Sequence, residues 1–444
     1  MRLPAAAPQR ALPAWRSGAA LIAVMWIVLL AGLVLLGVNR AAGVHLAMAH
    51  GELAMVQARW LARAGVEQAM AILEDDSRRV DSPLDWWYED RISFEQIELP
   101  TGKFSVIAPA DERSLGAKRY GLLDLNSRVN VVTASDRQLA AIPKITAEQV
   151  DGIIDWRDKD ENSRPGGAER GYYQRLKFPY EIRNGPLQTH AELLLISGID
   201  SAAFYGEDTN GNGLLDGGED SDGDGLLRPG LSHWTAVHRY EPNQDAAGLP
   251  RINLNNADAS ALTESLKFTQ ELAAAVLEFR GQRGRFNSVM QLLEVRPRPG
   301  GSAPAARRPT PGEEQVGQIT IEWLAKNLDR LTVQDEDRLP ARINLNTAPR
   351  EVLLTIPGLP EQAVHEIIAF RASSKGPFES VGDLLTSNAV DQGVFRAIAE
   401  LVTVRSSVFR ITSVGTVASG ISCTVTAIVD REARPPIVYW HESE

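Results

Sequence analysis

Residues 342–371 read RINLNTAPREVLLTIPGLPEQAVHEIIAFR, and the same frame occurs three times in the chain. A second copy, residues 251–280, reads RINLNNADASALTESLKFTQELAAAVLEFR and aligns without gaps at an offset of 91 residues. The remaining copy, residues 128–157, reads RVNVVTASDRQLAAIPKITAEQVDGIIDWR and aligns at an offset of 214. Because gap-free matches of this length do not arise from composition, the middle of the chain is built from an internal repeat.

Each repeat has the pattern of a strand followed by two helices. An apolar-Asn-apolar stretch comes first, and the second helix ends in an aromatic residue and arginine. Ser135, Asp258 and Pro349 stand where the first helices should begin, as caps or a first-turn proline. A further apolar segment follows each copy, so the repeats extend to near 128–195, 251–293 and 342–385. The units resemble helix-hairpin-helix (SAM-like) modules, which predicts a mostly α-helical domain.

The hairpins of these repeats raise the possibility of DNA binding. In DNA-uptake and repair proteins, a Gly-x-Gly hairpin of this motif presents backbone N–H groups to a phosphate. In the last copy Gly358 is followed two residues later by Pro360, which has no N–H to donate. The helices after the three hairpins carry the acidic residues Glu148, Asp151, Glu271, Glu361 and Glu366. We therefore expect no nucleic-acid partner, and the alternative is a membrane-anchored helix-hairpin-helix DNA-binding protein of a DNA-uptake system.

Residues 207–226, between the first two repeats, read EDTNGNGLLDGGEDSDGDGL. From Asp208 onward the spacing is that of an EF-hand loop, with Gly213 at the sixth position. Oxygen ligands at alternate positions suit calcium, and a solvated acidic linker is the alternative. The predicted calcium ligands are Asp208, Asn210, Asn212, the Leu214 carbonyl, Asp216 and Glu219.

The same loop continues with a second, incomplete ligand series. Asp220, Asp222 and Asp224 repeat the alternate spacing, but the twelfth position of this series is Leu231. A second ion would therefore need ligands from elsewhere in the chain. Since Pro229 and Gly230 close the segment, the flanking helices of a true EF-hand are not expected. The loop is predicted to be a structural calcium site rather than a calcium sensor.

Strand-like segments lie on both sides of the helical repeats. Residues 92–99 and 102–108 alternate or cluster as strands before the repeats. Residues 401–414, 421–430 and 437–440 do so after them. The sequence therefore predicts an α+β fold, in which a sheet domain (residues 77–121 and 401–444) is interrupted by an inserted helical domain (residues 122–400).

The N-terminal region predicts a membrane anchor. Residues 19–38 form an uncharged apolar run of the length that spans a bilayer, and the helical pattern continues to about residue 76. Arg2, Arg10 and Arg16 precede the run, which places the N-terminus in the cytoplasm by the positive-inside rule. A secretory signal peptide is the rival interpretation, but the run is long for one and no small-x-small cleavage signal follows it.

The start of this helix resembles the leader of type IV pilins and type II secretion pseudopilins. The residues that carry the resemblance are Arg16, Ser17 and Gly18 before the apolar run. The resemblance implies a leader of residues 1–18, cleavage between Gly18 and Ala19 by a prepilin peptidase, and N-methylation of Ala19. The fifth mature position is Ala23, where major pilins have a glutamate. That departure is typical of the minor pseudopilin K family of type II secretion.

The repeats, the acidic loop and the ending Tyr439-Trp-His441 extend this resemblance over the whole chain. It implies a pilin-type α/β sheet, a single-pass inner-membrane location and a periplasmic C-terminal domain. It also implies a place at the pseudopilus tip with the I-type and J-type minor pseudopilins. There the protein would help initiate assembly of the pseudopilus, which exports folded proteins across the outer membrane.

Composition limits the chemistry that the chain can perform. The formal net charge of -11 disfavours contact with nucleic acid, and the single cysteine, Cys423, excludes an intrachain disulfide. The seven histidines are scattered, and no motif pairs a nucleophile with a base or cradles a phosphate. We therefore expect a protein that is not an enzyme and has no catalytic residues.

Overall fold

The computed structural model describes residues 15–76, 80–110, 118–237, 240–297, 315–340 and 342–443, without the side chains of residues 15–19 and 240. Its α-helices are α1 (Trp15–Asp75), α2 (Arg91–Phe94), α3 (Asp136–Ala140), α4 (Ala147–Arg157), α5 (Arg170–Tyr173), α6 (Ser201–Tyr205), α7 (Leu231–Trp234), α8 (Ala259–Ser265), α9 (Gln270–Arg283), α10 (Ile321–Asn327), α11 (Arg350–Leu354), α12 (Glu361–Ala372), α13 (Asp383–Thr386) and α14 (Gln392–Ile398). Short 3-10 helices cover Leu125–Ser127, His190–Leu195, Val289–Glu294 and Leu328–Arg330.

The strands are short except for three near the C-terminus. They are β1 (Ile97–Leu99), β2 (Gly102–Ile107), β3 (Leu123–Asp124), β4 (Val129–Asn130), β5 (Thr235–Ala236), β6 (Tyr240–Pro242), β7 (Ile252–Asn253), β8 (Leu331–Thr332), β9 (Arg338–Pro340), β10 (Ile343–Asn344), β11 (Val402–Thr403), β12 (Val408–Val417), β13 (Ser422–Asp430) and β14 (Ile437–Ser443).

Helix α1 makes few contacts along its first half and packs against the sheet along its second half. Its apolar side chains are exposed from Leu21 to Leu53. Beyond that point Ala58, Leu61 and Val66 are buried with the sheet. Among the described residues, one helix is long and apolar enough to cross a membrane, and it is this one. Water is a poor solvent for such a surface, and the first half of α1 is compatible with a single-pass membrane anchor.

One antiparallel sheet joins the two ends of the chain. Its order is β1-β2-β12-β13-β14, and β3 pairs with β12 beside β2. The large side chains Trp87, Phe94, Phe104 and Phe409 fill the core between the sheet and α1. The chain leaves this sheet after β3 and returns at β12, with the helical repeats between them. The predicted α+β class, a sheet interrupted by a helical domain, is confirmed.

Two details of the sheet differ from the prediction. Residues 92–94, expected to be extended, are helical because the Asp90 carboxylate accepts a hydrogen bond from the Ile92 N–H at 2.9 Å and caps α2. The strand pairs also shift the predicted boundaries at 121 and 401. Strand β3 belongs to the sheet, whereas β11 pairs in parallel with β10 inside the helical domain.

The three repeats share one local structure. In each, the first strand pairs in parallel with a two-residue strand that comes later in the chain, as β4–β5, β7–β8 and β10–β11. Two helices follow each strand, as α3–α4, α8–α9 and α11–α12. Ser135 and Asp258 cap α3 and α8 through their side chains, and Pro349 directly precedes α11. One contiguous apolar core runs through all three repeats, so they form a single helical domain.

The arginine that ends each repeat clamps the start of the same repeat. Arg157 donates to the carbonyls of residues 131 and 134 at 2.7 and 2.6 Å. Arg280 donates to those of residues 254 and 257 at 3.1 and 3.0 Å. Arg371 donates to those of residues 345 and 348 at 3.0 and 2.6 Å. The recurring aromatic-Arg pair is therefore part of the architecture, because it closes the strand-to-helix turn.

Replacing Arg280 with methionine is expected to lower the free energy of unfolding of the helical domain by about 2 kcal/mol. The change leaves two carbonyls without their charged donor, and hydrogen bonds to charged groups contribute about 1.5–3 kcal/mol. The urea midpoint of the full-length protein in detergent, followed by circular dichroism, measures this loss. The matched control is Arg283→Met on the same helix, since Arg283 is exposed, pairs with Glu294 and lies over the Phe279 ring at 5.0 Å without contacting the start of the repeat in the described structure. Equal shifts for the two variants would contradict the clamp.

The helical domain is anchored at the C-terminal end of α1. The buried Asn344 amide donates to the Asp81 carbonyl at 3.2 Å, the Asp124 carboxylate at 3.2 Å and the Ser406 hydroxyl at 2.9 Å. Arg431, from the end of β13, forms ion pairs with Asp81 and with Asp76 at the end of α1. This buried polar junction fixes the helical domain to the sheet instead of leaving it on a flexible tether.

Candidate functional site

The acidic loop leaves α6 and returns to α7, and its two ends are hydrogen-bonded to each other. The Glu207 N–H donates to the Arg228 carbonyl at 3.0 Å, and the Gly230 N–H donates to the Tyr205 carbonyl at 3.0 Å. The flanking helices have five and four residues, in place of the long helices of an EF-hand. The loop is therefore a closed unit of its own, which fits a structural site better than a sensor.

Asp208, the first predicted ligand, is buried at the centre of the loop. Its carboxylate accepts hydrogen bonds from the backbone N–H groups of Asn212 at 2.9 Å and Gly213 at 3.0 Å. Burial raises the pKa of Asp208 above its usual value. Gly213 has a φ of +75°, and a Cβ at this position would lie 2.4 Å from the backbone nitrogen of Ala110. Only glycine fits here, as the sixth position of such a loop requires.

The other predicted ligands are gathered around the same turn. Asn210 and Asn212 both donate to the Asp216 carboxylate, at 2.8 and 2.6 Å, which holds the pKa of Asp216 below its usual range. Glu219 accepts from the backbone N–H of Asp216 at 3.1 Å. Leu214 joins through its N–H, which donates to the Asn212 side chain at 2.7 Å. Hydrogen bonds thus connect the side chains of the predicted ligands around one turn, whereas Leu214 takes part through its N–H and not through the predicted carbonyl. The oxygen-rich chemistry of these side chains fits a calcium ion.

The second half of the loop repeats the same turn. Asp220 accepts from the N–H groups of Gly223 and Gly225 at 2.7 and 3.1 Å. The carboxylates of Asp222 and Asp224 both pair with Arg228, which neutralises part of their charge.

Glu207 completes this second half, although the sequence analysis did not single it out. Its carboxylate lies within 4.8 Å of those of Asp220 and Asp222. It also accepts from the Ser221 hydroxyl at 2.6 Å and the Ser221 N–H at 3.0 Å, which lower its pKa. Glu207, the residue directly before Asp208, is therefore placed to supply the further ligand that a second ion would need. The only feature of the sequence that pointed to Glu207 was its position next to the motif.

The predicted processing site lies at the edge of the described residues. Helix α1 begins at Trp15, so the backbone of Gly18 and Ala19 is helical. The side chains of these two residues and all of residues 1–14 lie outside the described part of the chain. Ala23, which replaces the glutamate of major pilins, is exposed on α1.

The three hairpins share one backbone conformation. Lys144, Lys267 and Gly358 occupy equivalent positions and have φ values of +60°, +60° and +90°. This left-handed conformation costs about 1–2 kcal/mol for a residue with a side chain, so the packing of the repeats holds it in place at both lysines. Pro360 directly precedes α12 and offers no N–H at the N-terminus of that helix. The hairpins therefore serve packing better than phosphate binding.

Comparison with known families identifies the first repeat. Residues 135–205 match the family model described as Type II secretion system (T2SS), protein K. This match agrees with the resemblance to the type II secretion protein K family that the sequence carries. The match supports a minor pseudopilin of type II secretion, and the proteins of that family are structural pseudopilins.

Other comparisons concern the later repeats and the overall shape. Residues 249–297 and 341–403 match the family model for the helix-hairpin-helix motif, which confirms that part of the prediction. A relative from Xenopus laevis, endonuclease/exonuclease/phosphatase family domain-containing protein 1, is 28% identical over 142 residues, or 32% of this chain. The chain spans only 25% of that relative. A chain in the crystal structure of the GspK-GspI-GspJ complex from enterotoxigenic Escherichia coli aligns over 89% of this chain and 99% of its own length, with 13% identity and a TM-score of 0.47.

Proposed function

We propose that the protein caps the tip of the type II secretion pseudopilus and helps initiate its assembly for the export of folded proteins. The observation that carries this proposal is the place of the helical domain at the C-terminal end of α1, through Asn344 and Arg431. In a filament whose subunits are stacked along α1, that end faces the next subunit above. A large domain there leaves no room for such a subunit.

The stiffness of the junction supports the same conclusion. Asp81 is fully buried, and its carboxylate accepts from the Ser406 N–H at 2.7 Å while it pairs with Arg431. Opening this junction would break the Arg431 ion pairs together with the hydrogen bonds of Ser406 and Asn344. The helical domain therefore does not swing aside to admit a subunit above it.

Helix α1 supplies the surface for the partners. Its exposed first half carries Gly32, Gly37, Gly43 and Gly51, where small residues permit close packing of neighbouring helices. The I-type and J-type minor pseudopilins are the partners that we infer for this surface. Alanine at position 23, in place of glutamate, also fits the tip of the filament. A subunit at the tip has no neighbour above it whose terminal amine a glutamate would neutralise.

Processing of the N-terminus follows from this role. We expect a prepilin peptidase to cut between Gly18 and Ala19, which leaves a single-pass inner-membrane protein with a periplasmic domain and a methylated Ala19. Mass spectrometry of the mature N-terminus tests this expectation. An intact Met1, or a cut beyond residue 38, would rule out the pseudopilin pathway.

Two measurements test the tip position itself. The full-length protein should co-purify with the I-type and J-type pseudopilins, and a gold-labelled antibody to the helical domain should mark one end of each pseudopilus in electron micrographs. An antibody to the major pseudopilin, which should label the whole length, is the control. Label from the helical-domain antibody along the filament would exclude a tip role. Binding to duplex DNA with a steep salt dependence, without partner co-purification, would favour the DNA-uptake alternative.

A further inference from the structure

A second group of carboxylates lies in the first repeat, apart from the acidic loop. It consists of Asp155 and Asp158, at the end of α4, and Glu169, at the start of α5. One carboxylate oxygen from each lies within 4.8 Å of the other two. Asp155 is fully buried, and Glu169 is 7% exposed. Three acidic side chains therefore converge in the interior of the protein.

The partners of these carboxylates are unequal. Asp155 accepts from the backbone N–H of Arg164 at 3.1 Å and is weakly contacted by the Ser163 hydroxyl at 3.5 Å. Both oxygens of Glu169 and one oxygen of Asp158 are buried without a hydrogen-bond partner among the described residues. Glu169 stands at the N-cap of α5, yet its side chain turns into the cluster instead of capping the helix. A buried carboxylate in this state is costly unless a cation or donor meets it.

The charges around the cluster are mostly negative. Burial, with the charges of Asp155, Asp158, Glu161 and Asp160 beside it, raises the pKa of Glu169 to about 7. Arg164 is a nearby cation, but its guanidinium pairs with Asp136 at 2.8 Å and lies farther from Asp155, at 4.0 Å. The carboxyl end of α4 contributes further negative potential.

The backbone holds the three groups in place. The turn at Gly166 and Gly167 brings the chain back across α4, and the Gly166 N–H donates to Asp151 at 3.0 Å. A Cβ at Gly167 would lie 2.0 Å from an Asp155 carboxylate oxygen, so only glycine permits this approach. The convergence is thus built into the fold rather than being a chance meeting of surface side chains.

We propose that Asp155, Asp158 and Glu169 form a calcium-binding site that is separate from the acidic loop. Oxygen ligands lie about 2.3–2.6 Å from calcium, so two on opposite sides of the ion are about 5 Å apart. Separations within 4.8 Å fit that geometry. Bound calcium would supply the positive charge that Glu169 lacks and would tie residues 158–169 to α4.

The test counts bound ions in the full-length protein in detergent. Equilibrium dialysis against calcium is run on the wild type, on an acidic-loop variant carrying Asp208→Asn and Asp220→Asn, and on both after Glu169→Gln. The proposal expects Glu169→Gln to remove one bound calcium per chain in both backgrounds. In the loop variant, calcium should raise the melting temperature, and adding Glu169→Gln should abolish that rise.

Asp160→Asn is the matched control, because Asp160 is exposed in the same turn and its acceptor role toward the Asn162 N–H is kept by asparagine. Asp158→Asn is the second ligand variant. In chelator, Glu169→Gln should melt no lower than the wild type, because it removes a buried charge. A calcium count unchanged by Glu169→Gln, or a loss equalled by Asp160→Asn, would overturn the site. The outcome does not depend on the tip role.

Discussion

Replacing Arg431 with methionine is expected to lower the free energy of unfolding by about 3–5 kcal/mol near pH 8. Arg431 is the cation of the buried junction between the two domains, where it pairs with Asp81 and Asp76 and donates to the Ser406 carbonyl at 3.0 Å. Methionine retains the apolar bulk but leaves these groups without their donor. Breaking one side of a buried ion pair is far more costly than losing an exposed one.

The loss should depend on pH. Burial raises the pKa of Asp81 from 3.8 to about 7, while Arg431 acts in the opposite direction, so the variant raises that pKa further. Because the folded-state pKa lies above the unfolded value, protonation of Asp81 favours the folded state. This contribution is fully present below about pH 4 and is lost as the pH rises through the folded-state pKa. The penalty of Arg431→Met should therefore be smaller at pH 5 than at pH 8.

Urea midpoints of the full-length protein in detergent at the two pH values measure both effects. Arg434→Met is the matched control, because Arg434 is exposed three residues away and, among the described residues, donates only to the carbonyls of Arg431 and Ala433. It should change the midpoint little at either pH. A penalty for Arg431→Met that is the same at pH 5 and pH 8 would show that Asp81 is not the group responsible.

The repeats show which parts of the fold could be predicted from the sequence and which could not. The offset of 91 residues and the apolar periodicity were enough to predict the paired helices and the caps at Ser135 and Asp258. The two-residue strands β5, β8 and β11 could not be predicted as partners of the repeats. Segments this short show no alternation of apolar and polar residues, and their pairing depends on the tertiary structure. The role of the arginine that ends each repeat became clear only from the structure. The sequence shows that this arginine recurs, but not which carbonyls it contacts.

The local errors of the secondary-structure prediction have a common cause: tertiary packing overrides the intrinsic conformational preference of single residues. Residues 92–94 have the composition of a strand, but the Asp90 cap and the burial of Phe94 make them helical. Lys144 and Lys267 adopt the backbone conformation for which the third repeat uses glycine. No single-residue preference would have placed lysine there.

Of the candidate sites, one could be predicted from the sequence and the other could not. The acidic loop was recognisable because its predicted ligands are local and follow a fixed spacing. Glu207 was missed because it precedes the motif and contributes to the second half. The cluster of Asp155, Asp158 and Glu169 follows no local spacing, and only the Gly166–Gly167 turn brings its members together. The sequence analysis therefore included no ligand from this segment.

Calcium is expected to protect the acidic loop from cleavage after Glu219 by a glutamate-specific protease. Seven carboxylates lie between residues 207 and 224, and without a cation their mutual repulsion favours an open loop. At a free calcium concentration of about 100 times Kd, binding adds about 2.7 kcal/mol to the closed state, which should slow cleavage about 100-fold. The rate is measured on the full-length protein in detergent, in chelator and in calcium.

Asp208→Asn should abolish this protection, because it removes the buried charge at the first ligand position and leaves the volume unchanged. Asp200→Asn is the matched control, since Asp200 caps α6 beside the loop and asparagine is an equally good cap. Glu169→Gln should also keep the protection, because its cluster lies in the first repeat, and the assay therefore reports on the loop alone. If wild-type cleavage is equally slow in chelator and in calcium, the backbone hydrogen bonds of Asp208 suffice to close the loop. The spacing would then specify a turn that needs no ion.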